Sequence, residues 1–101
     1  MAKNVVLSST AKQRLEELLV YLKQEWSEKV KNEFIEKLDV KINQVANYPE
    51  SCAESKDFSG LHKCVVTKQT TFYYRINGEE IEIAALFDNR QDPEKLKTQQ
   101  S

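Results

Sequence analysis

Residues 70–87 read TTFYYRINGEEIEIAALF, and this stretch decides the fold because it specifies a β-hairpin. Aromatic and β-branched residues fill two runs on either side of Asn77 and Gly78, as in paired strands. A two-residue type I′ turn needs positive φ at both central positions, and Asn-Gly adopts that geometry at low cost. The turn therefore predicts a register in which Ile76 lies opposite Glu79.

This register assigns alternate side chains to the two faces of the sheet. The open face is expected to carry Arg75 opposite Glu80 and Tyr73 opposite Glu82. We expect an ion pair at the arginine, and the tyrosine is either a ring that stacks on a base or supports a partner segment, or a half-exposed strand aromatic without a function. The core face is expected to contain the pairs Tyr74–Ile81, Phe72–Ile83 and Thr70–Ala85.

Two apolar stripes with spacings of three and four residues precede the hairpin and predict two amphipathic helices. Thr10 is the predicted N-cap of the first, because Gln13 stands three residues on as in a capping box. Ser27 is the predicted N-cap of the second, and so short a connection requires an antiparallel helical hairpin. The stripes consist of Ala11, Leu15, Leu18, Leu19, Leu22 and Trp26, and of Val30, Phe34, Leu38, Ile42 and Val45, with Ile35 beside them.

Two further strands and a long loop are expected around these elements. Residues 4–7 form an apolar run before the first helix, and residues 61–67 form another before the hairpin. Residues 49–60 are polar and aperiodic, which predicts a loop of a length that is often functional. No turn signal joins 61–67 to the hairpin, so the sequence leaves open which face His62 and Lys63 occupy.

The C-terminal residues complete the prediction of one α+β domain over residues 1–101. Asp92 and Pro93 form an N-cap and N1 pair for a short last helix that reaches Lys97. The predicted order is β-α-α-β-β-β, in which the helical hairpin packs on one face of a small antiparallel sheet.

Composition excludes several classes of protein. Lys and Arg total 15 against 16 Asp and Glu, which argues against a uniformly basic protein and against direct sequence-specific DNA binding. No apolar run approaches the ~20 residues of a membrane span, so we expect a cytoplasmic protein. Cys52 and Cys64 lack zinc-type spacing and are expected to be reduced thiols, and no motif suggests a metal or cofactor.

The order of elements, together with three short segments, resembles the RelE/ParE superfamily of bacterial toxins. The segments are Gly60-Leu61, the run from Phe72 to Ile76, and the exit formed by Arg90, Asp92 and Pro93. The resemblance implies the toxin of a type II toxin-antitoxin module, neutralised by a cognate antitoxin whose C-terminal segment wraps the helices and sheet. ParE-like members block DNA gyrase, whereas RelE-like members cut mRNA in the ribosomal A site.

The RelE-like pattern is incomplete in this chain. Thr71 stands where those nucleases commonly have an arginine, and neither tyrosine nor histidine follows Arg90. The residues left for a metal-independent endoribonuclease are Arg90, Lys63 and His62, and those for binding a partner are Tyr73, Arg75 and Arg90.

Each candidate also has an explanation that involves no function. A cross-strand glutamate explains Arg75, Asp88 or Asp92 explains Arg90, and a single histidine such as His62 is usually an ordinary edge residue. Acidic residues on the open face also oppose RNA binding. The sequence therefore favours a ParE-like toxin that binds a protein target such as gyrase. The alternatives are a RelE-like nuclease and a weakened toxin retained as an antitoxin-binding module.

Overall fold

Two helices pack on one face of a four-stranded sheet in the computed structural model, which describes residues 2–90. The expected α+β order is confirmed, and the predicted helix after Pro93 lies outside the described residues. The elements are β1 (Asn4–Leu7), α1 (Ser9–Glu25), α2 (Glu28–Asn47), β2 (His62–Val65), β3 (Thr70–Asn77) and β4 (Glu80–Asp88).

The sheet is mixed and has the strand order β1-β4-β3-β2. Strands β2, β3 and β4 are antiparallel as expected, whereas β1 pairs in parallel with β4. Parallel neighbours need a long crossover connection, and the helical hairpin lies within the connection between these two strands. The first strand of the chain therefore pairs with the last one described, which local sequence patterns do not reveal.

The hairpin turn lies one residue later than predicted. Asn77 pairs with Glu80 and Ile76 with Ile81, so Gly78 takes the first central position of the turn. Within residues 2–90, positive φ occurs only at glycines, with +58° at Gly78, which fits a type II′ turn better than type I′. The predicted pairing of Ile76 with Glu79 is wrong by two residues. A shift of two keeps every side chain on its face, so Phe72, Tyr74, Ile81 and Ile83 lie on the core face as predicted.

A β-bulge at Ala84 changes the register again along β4. Tyr74 pairs with Ile83 but Tyr73 pairs with Ala85, which leaves Ala84 as an extra residue. The predicted partners Ile83 for Phe72 and Ala85 for Thr70 are therefore wrong, and Ala85 lies on the open face opposite Tyr73 instead of on the core face. Beyond the bulge, Phe72 pairs with Leu86 and Thr70 with Asp88.

Ser8 begins α1 and ties it to this bulge. Its hydroxyl oxygen accepts a hydrogen bond from the Ala11 amide at 3.1 Å, and the hydroxyl donates to the Ala84 carbonyl at 2.9 Å. The prediction of Thr10 as N-cap is wrong, because the helix starts before it and Thr10 is exposed. Ser27 caps α2 as predicted and accepts from the Val30 amide at 3.1 Å.

The core lies between the helical hairpin and the sheet. The predicted stripes face it, except that Trp26 is 57% exposed and Ile35 is exposed as well. Trp26 follows the last residue of α1 and no longer continues the stripe. No described helix is long and apolar enough to cross a membrane. The buried core residues include Ala11, Leu18, Leu22, Phe34, Leu38, Val45, Cys64, Phe72, Tyr74, Ile81, Ile83 and Leu86.

Replacing Ser8 with alanine should lower the free energy of unfolding by about 2 kcal/mol, because the helix cap and the bond to the bulge carbonyl are both lost. Urea unfolding monitored by circular dichroism measures the change. Thr10→Ala is the matched control and should alter stability by less than about 0.5 kcal/mol. Equal losses in the two variants would contradict the assignment of Ser8 as the cap.

Candidate functional site

The open face of the sheet, on the side away from the helices, carries three of the predicted site residues. Lys63 on β2 lies opposite Tyr73 on β3, and Arg75 follows two residues along the same strand. His62 pairs with the buried Tyr74 and so belongs to the core face. The structure therefore separates the two neighbours His62 and Lys63, whose faces the sequence left undetermined.

Arg75 forms an ion pair on this face, but with a different partner from the one predicted. Its Nε lies 3.2 Å from Oε1 of Glu82, because the register is shifted by two residues from Glu80. The Arg75 side chain is half exposed. Such a pair contributes roughly 0.2–1 kcal/mol, and it compensates the arginine charge locally.

An aromatic cluster of Phe58, Tyr73 and Phe87 occupies the middle of the open face. The Tyr73 ring centroid lies 4.9 Å from that of Phe58 and 5.8 Å from that of Phe87, both edge-on. Tyr73 is 7% exposed, so the prediction of a half-exposed ring is wrong, and the phenylalanines that cover it are themselves exposed. Sequence reasoning missed Phe58, whose one signal is an aromatic residue within a polar loop.

The loop that carries Phe58 is fastened along the outer edge of β2. The Ala53 carbonyl accepts from the Lys63 amide at 3.0 Å, and the Ser55 amide donates to the Leu61 carbonyl at 2.6 Å. These bonds satisfy part of an edge strand that would otherwise be open to pairing with another chain.

His62 is held by two neighbours on the core side of this edge. Its Nδ1 lies 2.7 Å from the Cys52 carbonyl oxygen, and its ring stacks on Tyr74 with a centroid distance of 5.1 Å. A carbonyl oxygen only accepts, so Nδ1 carries the hydrogen. The Tyr74 hydroxyl in turn donates to the Pro49 carbonyl at 2.7 Å.

Arg90 is bound to the buried carboxylate of Asp88. Its Nη2 lies 2.8 Å from Oδ2 and its Nε 3.2 Å from Oδ1, while its backbone amide also donates to Oδ1. The Asp88 side chain is fully buried, and the hydroxyl of buried Thr70 donates to the same carboxylate. This is the ion pair that the sequence offered as the explanation of Arg90 without a function.

The three candidate nuclease residues do not converge. Lys63 lies on the open face, whereas His62 and Arg90 lie near different positions of β3. His62 pairs with Tyr74, whereas Arg90 follows Asp88, which pairs with Thr70. Tyr74 and Thr70 lie about 13 Å apart along β3 at ~3.3 Å per residue. Proton transfer within one active site requires groups within hydrogen-bond reach of a common substrate.

Burial perturbs two groups next to His62. Burial raises the pKa of the Cys64 thiol from 9.0 to about 12, and the neighbouring Cys52 thiol adds to the shift. Burial likewise raises the pKa of the Tyr74 hydroxyl, again with a contribution from Cys52. Both cysteines are free thiols. Among residues 2–90 no group of three histidine, cysteine or acidic side chains is gathered as a metal site would require.

The sequence profile described as the ParE toxin of the type II toxin-antitoxin system parDE matches residues 5–93. The chain belongs to the ParE toxin family. A sequence search among curated proteins gives no match.

Solved structures of ParE-type and related toxins share this fold. A chain of the chromosomal ParDE toxin-antitoxin system from P. aeruginosa superposes with a TM-score of 0.72 and 9% identity, over 86% of this chain and 96% of that one. A YoeB/ParE toxin from Agrobacterium tumefaciens superposes with a TM-score of 0.62 and 17% identity, over 84% of this chain and 96% of that one. A chain of the E. coli DinJ-YafQ toxin-antitoxin complex superposes with a TM-score of 0.58 and 8% identity, over 89% of this chain and 96% of that one. At these identities the comparison establishes the fold alone.

Replacing Asp88 with asparagine should destabilise this ParE family member by about 2–3 kcal/mol, because the bound arginine loses its buried counter-charge. Chemical denaturation measures the change. Glu82→Gln removes the acid of the exposed pair with Arg75 and should cost less than about 1 kcal/mol. Similar losses in the two variants would show that the buried ion pair contributes no more to the free energy of unfolding than the exposed pair.

Stability should fall as the pH rises through the interval between 9 and about 12, because the unfolded chain loses the Cys64 proton there while the folded chain keeps it. Below that interval the thiol is protonated in both states and contributes no pH dependence. Urea unfolding at several alkaline pH values measures the slope. Cys64→Ala should reduce this slope, and an unchanged slope would contradict the raised pKa of the Cys64 thiol.

Proposed function

We propose that this member of the ParE toxin family acts by binding a protein target, with DNA gyrase as the first candidate, and that a cognate antitoxin neutralises it. The observation that carries the proposal is the open face. It presents exposed aromatic and aliphatic surface in its middle, while its arginine is already paired with an acid.

The apolar surface on this face suits a protein partner. Phe87 on β4 is 48% exposed, Val65 on the edge strand β2 is 53% exposed, and the rings of Phe58 and Phe87 stack with centroids 6.5 Å apart. Val65 and Phe87 both pair with Thr71, so these two side chains flank Thr71 on the open face. Aromatic residues gathered on an accessible surface are typical of the energetically dominant part of protein interfaces. The face therefore favours binding through burial of apolar surface.

The charges argue in the same direction. Hydrolysis or transfer at a phosphate needs cations placed to stabilise the charge that develops there. Arg75 and Arg90 are instead compensated by Glu82 and by the buried Asp88. Lys63 is exposed, but it lies on the same face as the acids of β4, which disfavour an RNA backbone.

Structural neighbours support an antitoxin as partner. One belongs to a ParDE toxin-antitoxin system and another to the complex of YafQ with DinJ. By analogy, this toxin would be paired with a small protein that has a DNA-binding N-terminus and an amphipathic tail. A neighbouring reading frame that encodes such a protein would agree with this.

Purified wild-type protein should inhibit supercoiling by purified DNA gyrase, and Phe87→Ser should weaken the inhibition at least about tenfold because an exposed anchor of the open face is lost. Val40→Ser is the matched control, since Val40 is 64% exposed but lies on α2, away from the open face. It should inhibit like the wild type. Circular dichroism would verify that both variants are folded.

Two results would contradict the proposal. Cleavage of mRNA in the ribosomal A site with normal supercoiling would indicate a nuclease, and its loss in Lys63→Gln or Arg90→Gln would assign the activity to those residues. Harmless expression in the absence of any antitoxin, with supercoiling unaffected, would indicate a weakened toxin retained for antitoxin binding.

A further inference from the structure

Cys52 and Cys64 lie close together where the loop runs along β2, and a hydrogen bond between their side chains contributes to the raised pKa of Cys64. Glu54 forms an antiparallel bridge with His62, and the Ala53 carbonyl accepts from the Lys63 amide at 3.0 Å. Regular continuation of this pairing by one residue would place Cys52 opposite Cys64. Directly opposed residues of antiparallel segments have Cα atoms about 4.5–5.5 Å apart, and disulfides span about 4.4–6.8 Å.

The side chains of this pair point into a common region. Cys64 is 1% exposed on the core face of β2, and Cys52 packs against the same core cluster while it remains partly accessible. Each thiol affects the ionisation of Tyr74, so the three groups lie close together. The Cys52 backbone is fixed in turn by the bond from His62 Nδ1 to its carbonyl.

We propose that Cys52 and Cys64 are a redox pair that forms a reversible intramolecular disulfide when the protein meets a small-molecule disulfide such as glutathione disulfide. The proposal is independent of the cellular target, because it concerns only how the loop is fastened to β2.

The two thiols have different parts in the exchange. The accessible Cys52 thiolate attacks a glutathione disulfide sulfur, which breaks that S–S bond, forms a mixed disulfide and releases one glutathione thiolate. The Cys64 thiolate then attacks the Cys52 sulfur, forms the internal S–S bond and releases the second glutathione. The two protons from the cysteines end on the two glutathiones, so one disulfide is reduced as one is formed. Because burial raises the pKa of Cys64, little of its thiolate is present near neutral pH, and this second step depends on the high effective concentration that the proximity of Cys52 provides.

The disulfide would close the base of the segment between residues 52 and 64. That segment carries Phe58, which covers Tyr73 and stacks on Phe87. In the reduced protein, backbone hydrogen bonds and the aromatic contacts hold the segment. Oxidation would add a covalent bond at its base and suppress the local opening that uncovers Tyr73.

The test equilibrates the full-length folded protein in buffers of graded reduced and oxidised glutathione, followed by acid quenching, alkylation and intact-mass analysis. Wild type should lose both alkylatable thiols, become lighter by the mass of two hydrogen atoms and form no covalent dimer. Cys64→Val should instead carry one glutathione on Cys52. Cys52→Ala should keep an unmodified Cys64, because that thiol is buried.

Two further readouts follow the oxidised wild type. Its melting temperature should rise by roughly 10 °C, as expected for a cross-link that closes a short loop in a small domain. Tryptic cleavage after the exposed Lys56 should slow about tenfold, because the segment opens less often. Cys52→Ala treated in the same way should show neither change.

Three results would overturn the proposal. The proposal is wrong if both thiols of the wild type remain alkylatable in excess glutathione disulfide. Accumulation of the mixed disulfide at Cys52 with Cys64 still free would show that the second thiol does not reach the first. Covalent dimers would show that the bond forms between chains. The wild-type measurements test the proposal even if Cys64→Val fails to fold.

Discussion

The hydrogen bond from the Ser8 hydroxyl to the Ala84 carbonyl joins the helical layer to the sheet, and much of the structure depends on it. The extra residue at Ala84 turns its carbonyl out of the regular strand pairing, where the serine that begins α1 can reach it. The Ser8 amide also donates to the Ile83 carbonyl at 2.9 Å. A single serine therefore sets the start of the helix and positions it over β4.

The same bulge determines the chemistry at the end of the strand. Because the register advances by one residue, Asp88 lies opposite Thr70 on the core side of the sheet, where its carboxylate is buried and binds Arg90. Without the extra residue, Asp88 would fall on the open face. The exit arginine that resembles a functional residue of this superfamily thus has a structural partner, which weakens its claim to a phosphate.

The fold followed from local patterns, whereas the details of the site did not. Helical periodicity and the alternation of Phe72, Tyr74, Ile81 and Ile83 were sufficient to predict the layers and the core face, since burial dominates both signals. The turn was predicted one residue too early, so Arg75 was assigned the wrong glutamate, and the bulge at Ala84 has no signal in the alternation of the strand. Thr67 was missed as the organiser of the β2–β3 turn, where its hydroxyl accepts from the Gln69 and Thr70 amides. Phe58 reaches Tyr73 only through the path of its loop, which no periodicity encodes.

The parallel pairing of β1 with β4 has a consequence for synthesis on the ribosome. Ser8 and Ala84 are separated by 76 positions, and every contact that holds β1 in the sheet spans a comparable distance along the chain. Contacts of this separation form late, because the intervening chain must first be ordered. A nascent chain that has produced both helices still lacks the strand against which β1 and the start of α1 are fixed. The sheet, and with it the open face, is therefore completed only after nearly all of the described chain has been synthesised.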